Sequence, residues 1–139
     1  MISSKSTKQW RSLEIECDKL VTDIVLWVDL GRCAFCTSTY MLSPHHIIKR
    51  TNKHKRHDPN NIILLCKECH DQAENSEAWC LCKLEEKYPK MHEWHEANQQ
   101  EEVMQFYKQH LDKIYQVLRR IQVRMRGETS EMRERFRRV

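Results

Sequence analysis

Two pairs of cysteines in this sequence have the spacing of a zinc site. Two residues separate Cys33 from Cys36, and two separate Cys66 from Cys69. This spacing lets both thiolates of a pair face one tetrahedral Zn2+ ion, and two pairs complete its four ligands. Because four thiolates leave no position for a catalytic water, the predicted zinc is structural. The odd total of seven Cys also argues against a disulfide framework.

Polar residues that could form a second site lie inside and just after this cysteine frame. They are His45, His46, Asn61 and His70. Adjacent side chains on a strand point to opposite faces, so His45 and His46 are expected to do different work. One can bind a metal while the other faces a substrate. A lone histidine is more often an ordinary surface or core residue, but this set within a zinc frame is more specific.

The segment CAFC…SPHHIIKR…DPNNIILLCKECH resembles the HNH nuclease family, in particular the branch with a four-cysteine zinc site. The resemblance covers residues 33 to about 74. It implies a hairpin followed by a helix, the ββα-metal finger. It also implies that His46 is the general base, that Asn61 orients it and ties the hairpin together, and that His45 and His70 bind the catalytic metal.

Glu74 occupies the place where some HNH nucleases have a further histidine. It lies four residues after His70, so both side chains would share one helix face. A carboxylate suits a hard cation, which makes Glu74 a candidate third ligand, although Glu is also an ordinary exposed helix residue.

The activity implied by the resemblance is metal-dependent hydrolysis of DNA phosphodiester bonds, with one strand nicked per active site. One Mg2+ or Mn2+ ion would neutralise charge on the phosphate and the leaving oxygen, while a neutral imidazole takes a proton from water. Two other hypotheses stay open. The chain is a zinc-stabilised nucleic-acid-binding module without catalysis, or it is a helical interaction protein whose zinc only holds the fold together.

A basic loop follows the paired histidines. It carries five positive charges and no acid. Its Lys and Arg are predicted to contact DNA phosphates, which would give affinity without sequence specificity. The alternative is a solvated loop. No role is assigned to His54 or His57. The five cations are Lys49, Arg50, Lys53, Lys55 and Arg56.

A second zinc site is a weaker hypothesis for four residues further along the chain. Cys80 and Cys82 are one residue apart, which is unusual for zinc, and they stand in a helix-like stretch. Buried thiols, with His92 and His95 on the surface, are the preferred interpretation.

The elements around these residues are predicted to be mostly helical. Apolar residues at helical spacing from 8 to 29 precede Gly31, NIILLC reads as a buried strand paired with STYMLSPHHIIKR, and a helix starts near Cys66. A further helix ends at Pro89. The fold class is therefore α+β: a zinc-stapled ββα-metal finger (33–76) between an N-terminal helix (1–32) and an acidic Trp-containing helical segment (77–98). A long amphipathic helix with an Arg-rich tail follows (99–139).

Composition limits the partners and excludes some functions. With only two Gly, at 31 and 127, the chain cannot form a Walker A loop or a dinucleotide-binding fingerprint. No apolar run approaches a membrane span, so we expect no membrane partner and a cytoplasmic protein. The net charge of +4 conceals two basic patches, which favours DNA as the partner. The apolar stripe of the periodic helix from 103 to 125 could form a homodimer interface, or it could pack over the core of the same chain. The layout resembles small phage-encoded HNH proteins, including lambdoid recombination nucleases, which would act in the host cytoplasm.

Overall fold

Five helices and one small sheet form the fold. The computed structural model describes residues 6–53, 55–99 and 107–125, without the side chains of 108 and 109. The predicted mostly helical α+β class is confirmed. The elements are α1 (Thr7–Val28), β1 (Ser43–His46), a short 3-10 helix (Pro59–Asn61), β2 (Ile62–Leu65), α2 (Lys67–Asn75), α3 (Glu77–Lys87), α4 (Pro89–Ala97) and α5 (Tyr107–Met125).

Helix α1 begins and ends at residues with recognisable capping chemistry. The Ser6 hydroxyl accepts a hydrogen bond from the Gln9 backbone, and the Gln9 side chain accepts one from the Ser6 backbone. At the other end the backbone turns left-handed at Leu30 and Gly31, with φ values of 59° and 65°. Leu30 occupies the left-handed position that follows the C-cap Asp29. Gly31, which adopts this conformation without a steric penalty, comes next, so the predicted glycine lies just past the helix end.

The hairpin places its two faces against different parts of the protein. The antiparallel register pairs His45 with Ile63 and His46 with Ile62. Ile62 belongs to an apolar cluster built mainly by α1 and α5, whereas Ile63 belongs to a second cluster with the cysteines, α2 and α3. Because directly opposed residues share a face, His45 lies on the α2 side of the sheet and His46 on the α1 side.

Helix α5 packs along α1 and covers the first apolar cluster. Leu111 and Leu118 are buried against α1, so this part of the periodic stripe covers the core. The Cys17 thiol, which is also buried, contacts the Leu111 carbonyl oxygen. The stripe residue Val103, Gly127 and the Arg-rich tail from 128 to 139 lie outside the described residues.

The short helices begin and end at residues that favour helix ends. Cys66 is the N-cap of α2, and Ser76 ends α2 while its hydroxyl caps α3. Proline at position 89 ends α3 as predicted and also begins α4, since the first turn of a helix tolerates a missing N–H. No helix among residues 6–53, 55–99 and 107–125 is long and apolar enough to cross a membrane. The division into four segments remains a prediction.

Candidate functional site

The four predicted zinc ligands lie together. The Sγ atoms of Cys33, Cys36, Cys66 and Cys69 are all within 4.8 Å of one another, and Cys36 Sγ is 3.5 Å from Cys66 Sγ. Zn–S bonds of about 2.3 Å place the corners of a tetrahedron roughly 3.8 Å apart. The sulfur cluster therefore has the size and the donor set that a structural zinc ion requires.

Local structure and charge both favour a cation at this cluster. The Cys33 backbone N–H donates to the Ser38 carbonyl, which closes the first cysteine turn, and the Cys66 thiol accepts from the Cys69 N–H at the start of α2. Burial, followed by the neighbouring thiols, raises the pKa of Cys69. The Cys69 thiol therefore resists ionisation unless a positive charge compensates for it, as a bound metal does.

A second group of potential metal ligands joins β1 to α2. One donor atom from each of His45, His70 and Glu74 lies within 4.8 Å of the other two. Glu74 Oε1 is 3.4 Å from His45 Nδ1 and 3.7 Å from His70 Nε2. Burial, and then the nearby His70, lowers the pKa of His45, so its neutral, ligand-competent form prevails near neutral pH. Two imidazoles and one carboxylate suit a divalent cation.

His46 lies on the other face of the sheet and is held by the basic loop. Its Nε2 atom is 2.9 Å from the Arg56 carbonyl oxygen. Because a carbonyl only accepts hydrogen bonds, Nε2 carries the hydrogen and Nδ1 carries the lone pair in the neutral ring. Burial lowers the pKa of His46 to about 4, which keeps the ring unprotonated at neutral pH. His46 does not belong to the ligand cluster, in keeping with the alternation of side chains along β1.

Asn61 joins both ends of the loop between the strands. It is fully buried, and its Oδ1 accepts from the Ile48 N–H at 2.7 Å while its Nδ2 donates to the Ile48 and Lys55 carbonyls. No bond between the Asn61 and His46 side chains occurs among the described residues; the Arg56 carbonyl holds His46 instead. Asn61 thus acts on His46 through the backbone of the loop.

The basic loop is bound to α1 through Arg56. Its Nε and Nη2 atoms donate to the two carboxylate oxygens of Asp18, at 3.0 and 2.8 Å, and its side chain is only 11% exposed. Arg50 also reaches Asp18, at 3.3 Å, and Lys53 lies 3.5 Å from Glu14.

The remaining two loop cations differ in exposure. Lys55 Nζ lies 5.8 Å from the centroid of the Trp94 ring, and Lys49 is exposed. Of the five cations predicted to contact DNA, Arg56 therefore makes the most extensive contacts with acidic side chains of the protein.

The contact between the basic loop and α1 also includes residues for which the sequence predicted no role. His57 is buried, and its Nε2 lies 2.8 Å from Asp18 Oδ1. Burial acts to raise the pKa of Asp18, but the hydrogen bonds from His57 and Arg56 outweigh it and hold that pKa well below its ordinary value. Glu14 and Asp18 are four residues apart on one face of α1. This acidic i, i+4 pair is visible in the sequence, but the pattern does not indicate which part of the chain it faces.

The two histidines of β1 border one cavity of about 710 Å3, which also includes Lys49, Asn52 and Glu74. His95 of α4 lines this cavity too and is buried, so its predicted surface position is wrong. Cys80 is buried as predicted, whereas Cys82 is exposed. Among the residues that the structure describes, no ligand cluster includes Cys80, Cys82, His92 or His95.

Comparison with known proteins identifies the segment that carries both clusters. Residues 33–76 match the family model described as HNH endonuclease. No curated protein and no solved structure matches the chain. The matched residues include the four cysteines, the hairpin and α2, which together hold every ligand described above. The resemblance predicted from the sequence is thereby confirmed for this segment: residues 33–76 are similar to the HNH endonuclease family, and their four cysteines cluster as a metal site requires.

Proposed function

We propose that this protein is a metal-dependent endonuclease that hydrolyses DNA phosphodiester bonds and cuts one strand per active site. The observation that carries the proposal is the convergence of His45, His70 and Glu74 within 4.8 Å. This cluster stands within the segment that matches the HNH endonuclease family. Its position beside a cavity bordered by His46 supplies space for a phosphate next to a base.

His45, His70 and Glu74 are the residues that would hold the catalytic ion, for which we propose Mg2+ or Mn2+. When bound, such an ion neutralises charge that develops on the phosphate and on the leaving oxygen. The three residues come from two elements, β1 and α2. The four-cysteine zinc site fixes the start of α2 next to the hairpin, so it positions the ligands without taking part in chemistry.

His46 is the proposed general base. Its Nε2–H is occupied by the Arg56 carbonyl, which leaves Nδ1 as the atom that can take a proton from water. His46 is partly buried and is a weak base, because burial lowers its pKa to about 4. An anionic phosphodiester bound beside it acts to raise that pKa, whereas a divalent ion at the ligand cluster acts to lower it.

We further propose that the loop cations divide into two groups. Lys49 is exposed, lines the cavity and contacts substrate phosphate. Arg50 joins it in this role, because its side chain is 56% exposed although it lies 3.3 Å from Asp18. Lys53 and Arg56 hold the loop against α1, and Lys55 lies against Trp94. Asn61 and Arg56 are positioning residues, because each fixes the backbone that orients His46.

A dimer would need a surface other than the buried stripe of α5. Leu111 and Leu118 are already packed on α1, whereas Val117 and Val123 are exposed. We propose that any homodimer through α5 uses these two valines. The phage origin and the cytoplasmic location inferred from the sequence stay predictions.

The decisive experiment follows supercoiled plasmid during incubation with the protein and Mg2+ or Mn2+. We expect nicked circles from the wild type, and at least 100-fold slower nicking by His46→Ala, since general base catalysis typically contributes about 10²–10⁴-fold. Lys87→Ala is the matched control, because this exposed residue lies at the end of α3, outside the site.

Equal nicking by wild type and His46→Ala under both metals would contradict the proposal. Retained DNA binding without any nicking would instead support the alternative, a non-catalytic zinc-stabilised nucleic-acid-binding module.

A further inference from the structure

Two large apolar side chains stand exposed beside the metal-ligand cluster. Tyr40 is 67% exposed and Met41 is 59% exposed, and they are neighbours in the segment between the first cysteine pair and β1. The removal of apolar side chains from water is favourable. An adjacent exposed pair next to a candidate active site therefore indicates a contact surface.

The backbone holds this pair in a fixed position. The Tyr40 carbonyl accepts a hydrogen bond from the Lys67 N–H at 3.3 Å, and the Tyr40 N–H donates to the Ser38 hydroxyl at 3.1 Å. Met41 has a φ of +47°, a conformation that non-glycine residues rarely adopt. Since Ser38 also accepts from Cys33, the segment is anchored to both halves of the cysteine cluster.

Met41 also lines a groove that ends at a metal ligand. The groove has a volume of about 350 Å3 and runs between the start of β1 and the first turns of α2. His70, which lies on its α2 side, belongs to the cluster with His45 and Glu74. A group bound in the groove would thus lie directly beside the proposed catalytic ion. The lining residues are Met41, Leu42, Ser43, Lys67, His70 and Asp71.

We propose that Tyr40, Met41 and this groove form a subsite for a nucleobase of the cleaved strand, next to the scissile phosphate. The inference rests on the proposed function, because it takes a phosphodiester at His70 as its reference point. A nucleobase has an apolar face that stacks on Tyr40 or Met41. Its polar edges suit Ser43 and the Lys67–Asp71 pair, whose Nζ and Oδ2 atoms lie 3.1 Å apart at the groove. A segment whose backbone is already held in place loses little backbone freedom on binding, which favours this use of it.

Binding to two strands of equal length tests the subsite. Fluorescence anisotropy, with no added Mg2+ or Mn2+, compares oligothymidylate with an abasic deoxyribose phosphate strand. We expect Tyr40→Ala to raise the Kd for oligothymidylate about tenfold, and to leave the Kd for the abasic strand unchanged. Met41→Ala should act in the same direction.

Leu30→Ala is the matched control, because Leu30 is 64% exposed, has a φ of 59° and does not line the groove. It should change neither Kd. Thermal melting of each variant checks that the fold is intact, as expected for substitutions of exposed side chains.

An unchanged Kd for oligothymidylate, or an equal loss on both strands, would overturn the subsite. A dimer in light scattering that becomes a monomer in Tyr40→Ala would assign the surface to a second copy instead, and would also overturn it. The plasmid assay separates this outcome from the proposed function: nicking with normal Tyr40→Ala binding rejects only the subsite, whereas base-dependent binding without nicking rejects only catalysis.

Discussion

Arg56 and Asp18 form a two-point ion pair between the basic loop and helix α1, with N–O distances of 3.0 and 2.8 Å. The same Arg56 offers its backbone carbonyl to His46 Nε2 at 2.9 Å. One residue therefore connects α1, which lies outside the matched family segment, to the proposed general base. A change at Asp18 should consequently affect both the stability of the fold and the orientation of His46.

Replacing Asp18 with Asn should lower the free energy of unfolding by about 1–3 kcal/mol, because partly buried Arg56 and His57 lose a charged acceptor. Urea unfolding followed by circular dichroism measures the change. Asp23→Asn, an exposed acid on the same helix, is the control and should shift stability by less than about 0.5 kcal/mol. Equal stability of Asp18→Asn and wild type would show that the pair contributes nothing.

The same pair predicts a pH dependence with a definite sign. Hydrogen bonds from His57 and Arg56 outweigh the effect of burial and keep the pKa of Asp18 below its ordinary value of 3.8. A depressed folded pKa stabilises the protein above the unfolded value, and this stabilisation is lost as the pH falls through 3.8 towards the folded pKa.

The stability difference between wild type and Asp18→Asn should therefore be largest near pH 6–7 and shrink below about pH 4. Using the difference removes effects common to both proteins, such as loss of zinc in acid. A difference that grows on acidification would reverse the assigned sign.

The two metal clusters should respond independently to substitution. Cys66→Ser removes one of four thiolates and should release the structural zinc, whereas His45→Ala leaves all four in place. Elemental analysis should find about one zinc per chain in the wild type and in His45→Ala, and much less in Cys66→Ser. Zinc retained in Cys66→Ser would contradict the four-cysteine assignment.

Asn61→Ala should destabilise the protein by about 2–3 kcal/mol, because three hydrogen bonds within a buried site are lost. Nicking should fall as well, since the loop that carries the Arg56 carbonyl loses its anchor. Asn60 is the control, because its side chain donates one described hydrogen bond, to Asp58. In thermal unfolding, Asn60→Ala should lose less than half of the stability that Asn61→Ala loses. Loss of activity with unchanged stability would instead indicate a direct role in chemistry.

The loop cations should differ in their effect on DNA binding. Lys49→Ala should reduce the slope of log K against log salt concentration by about one, as expected for one lost phosphate contact. Lys53→Ala should change the slope much less, because Lys53 lies near Glu14 and 5.0 Å from the centre of the Tyr107 ring. Equal slopes for wild type and Lys49→Ala would remove Lys49 from the interface.

The sequence alone was sufficient for features that depend on short spacing. The two-residue gap in each cysteine pair predicted the four-cysteine cluster, and strand alternation placed His45 and His46 on opposite faces of the sheet. Pro89 and Gly31 marked helix ends, because the restriction that proline imposes and the freedom that glycine allows both act on the local backbone. The i, i+4 relation also placed Glu74 beside His70, and the structure brings both to His45.

Only the tertiary structure decided which charges meet. Asp18 and Arg56 are far apart in the chain, and no local pattern states that α1 faces the loop. Folding places the acidic face of α1 against this loop. Several cations that were predicted to contact DNA therefore form ion pairs within the protein. The burial of His57 and His95 has the same origin. Spacing along the chain fixes ligand geometry within a short segment, whereas the exposure of a charge depends on every element that packs around it.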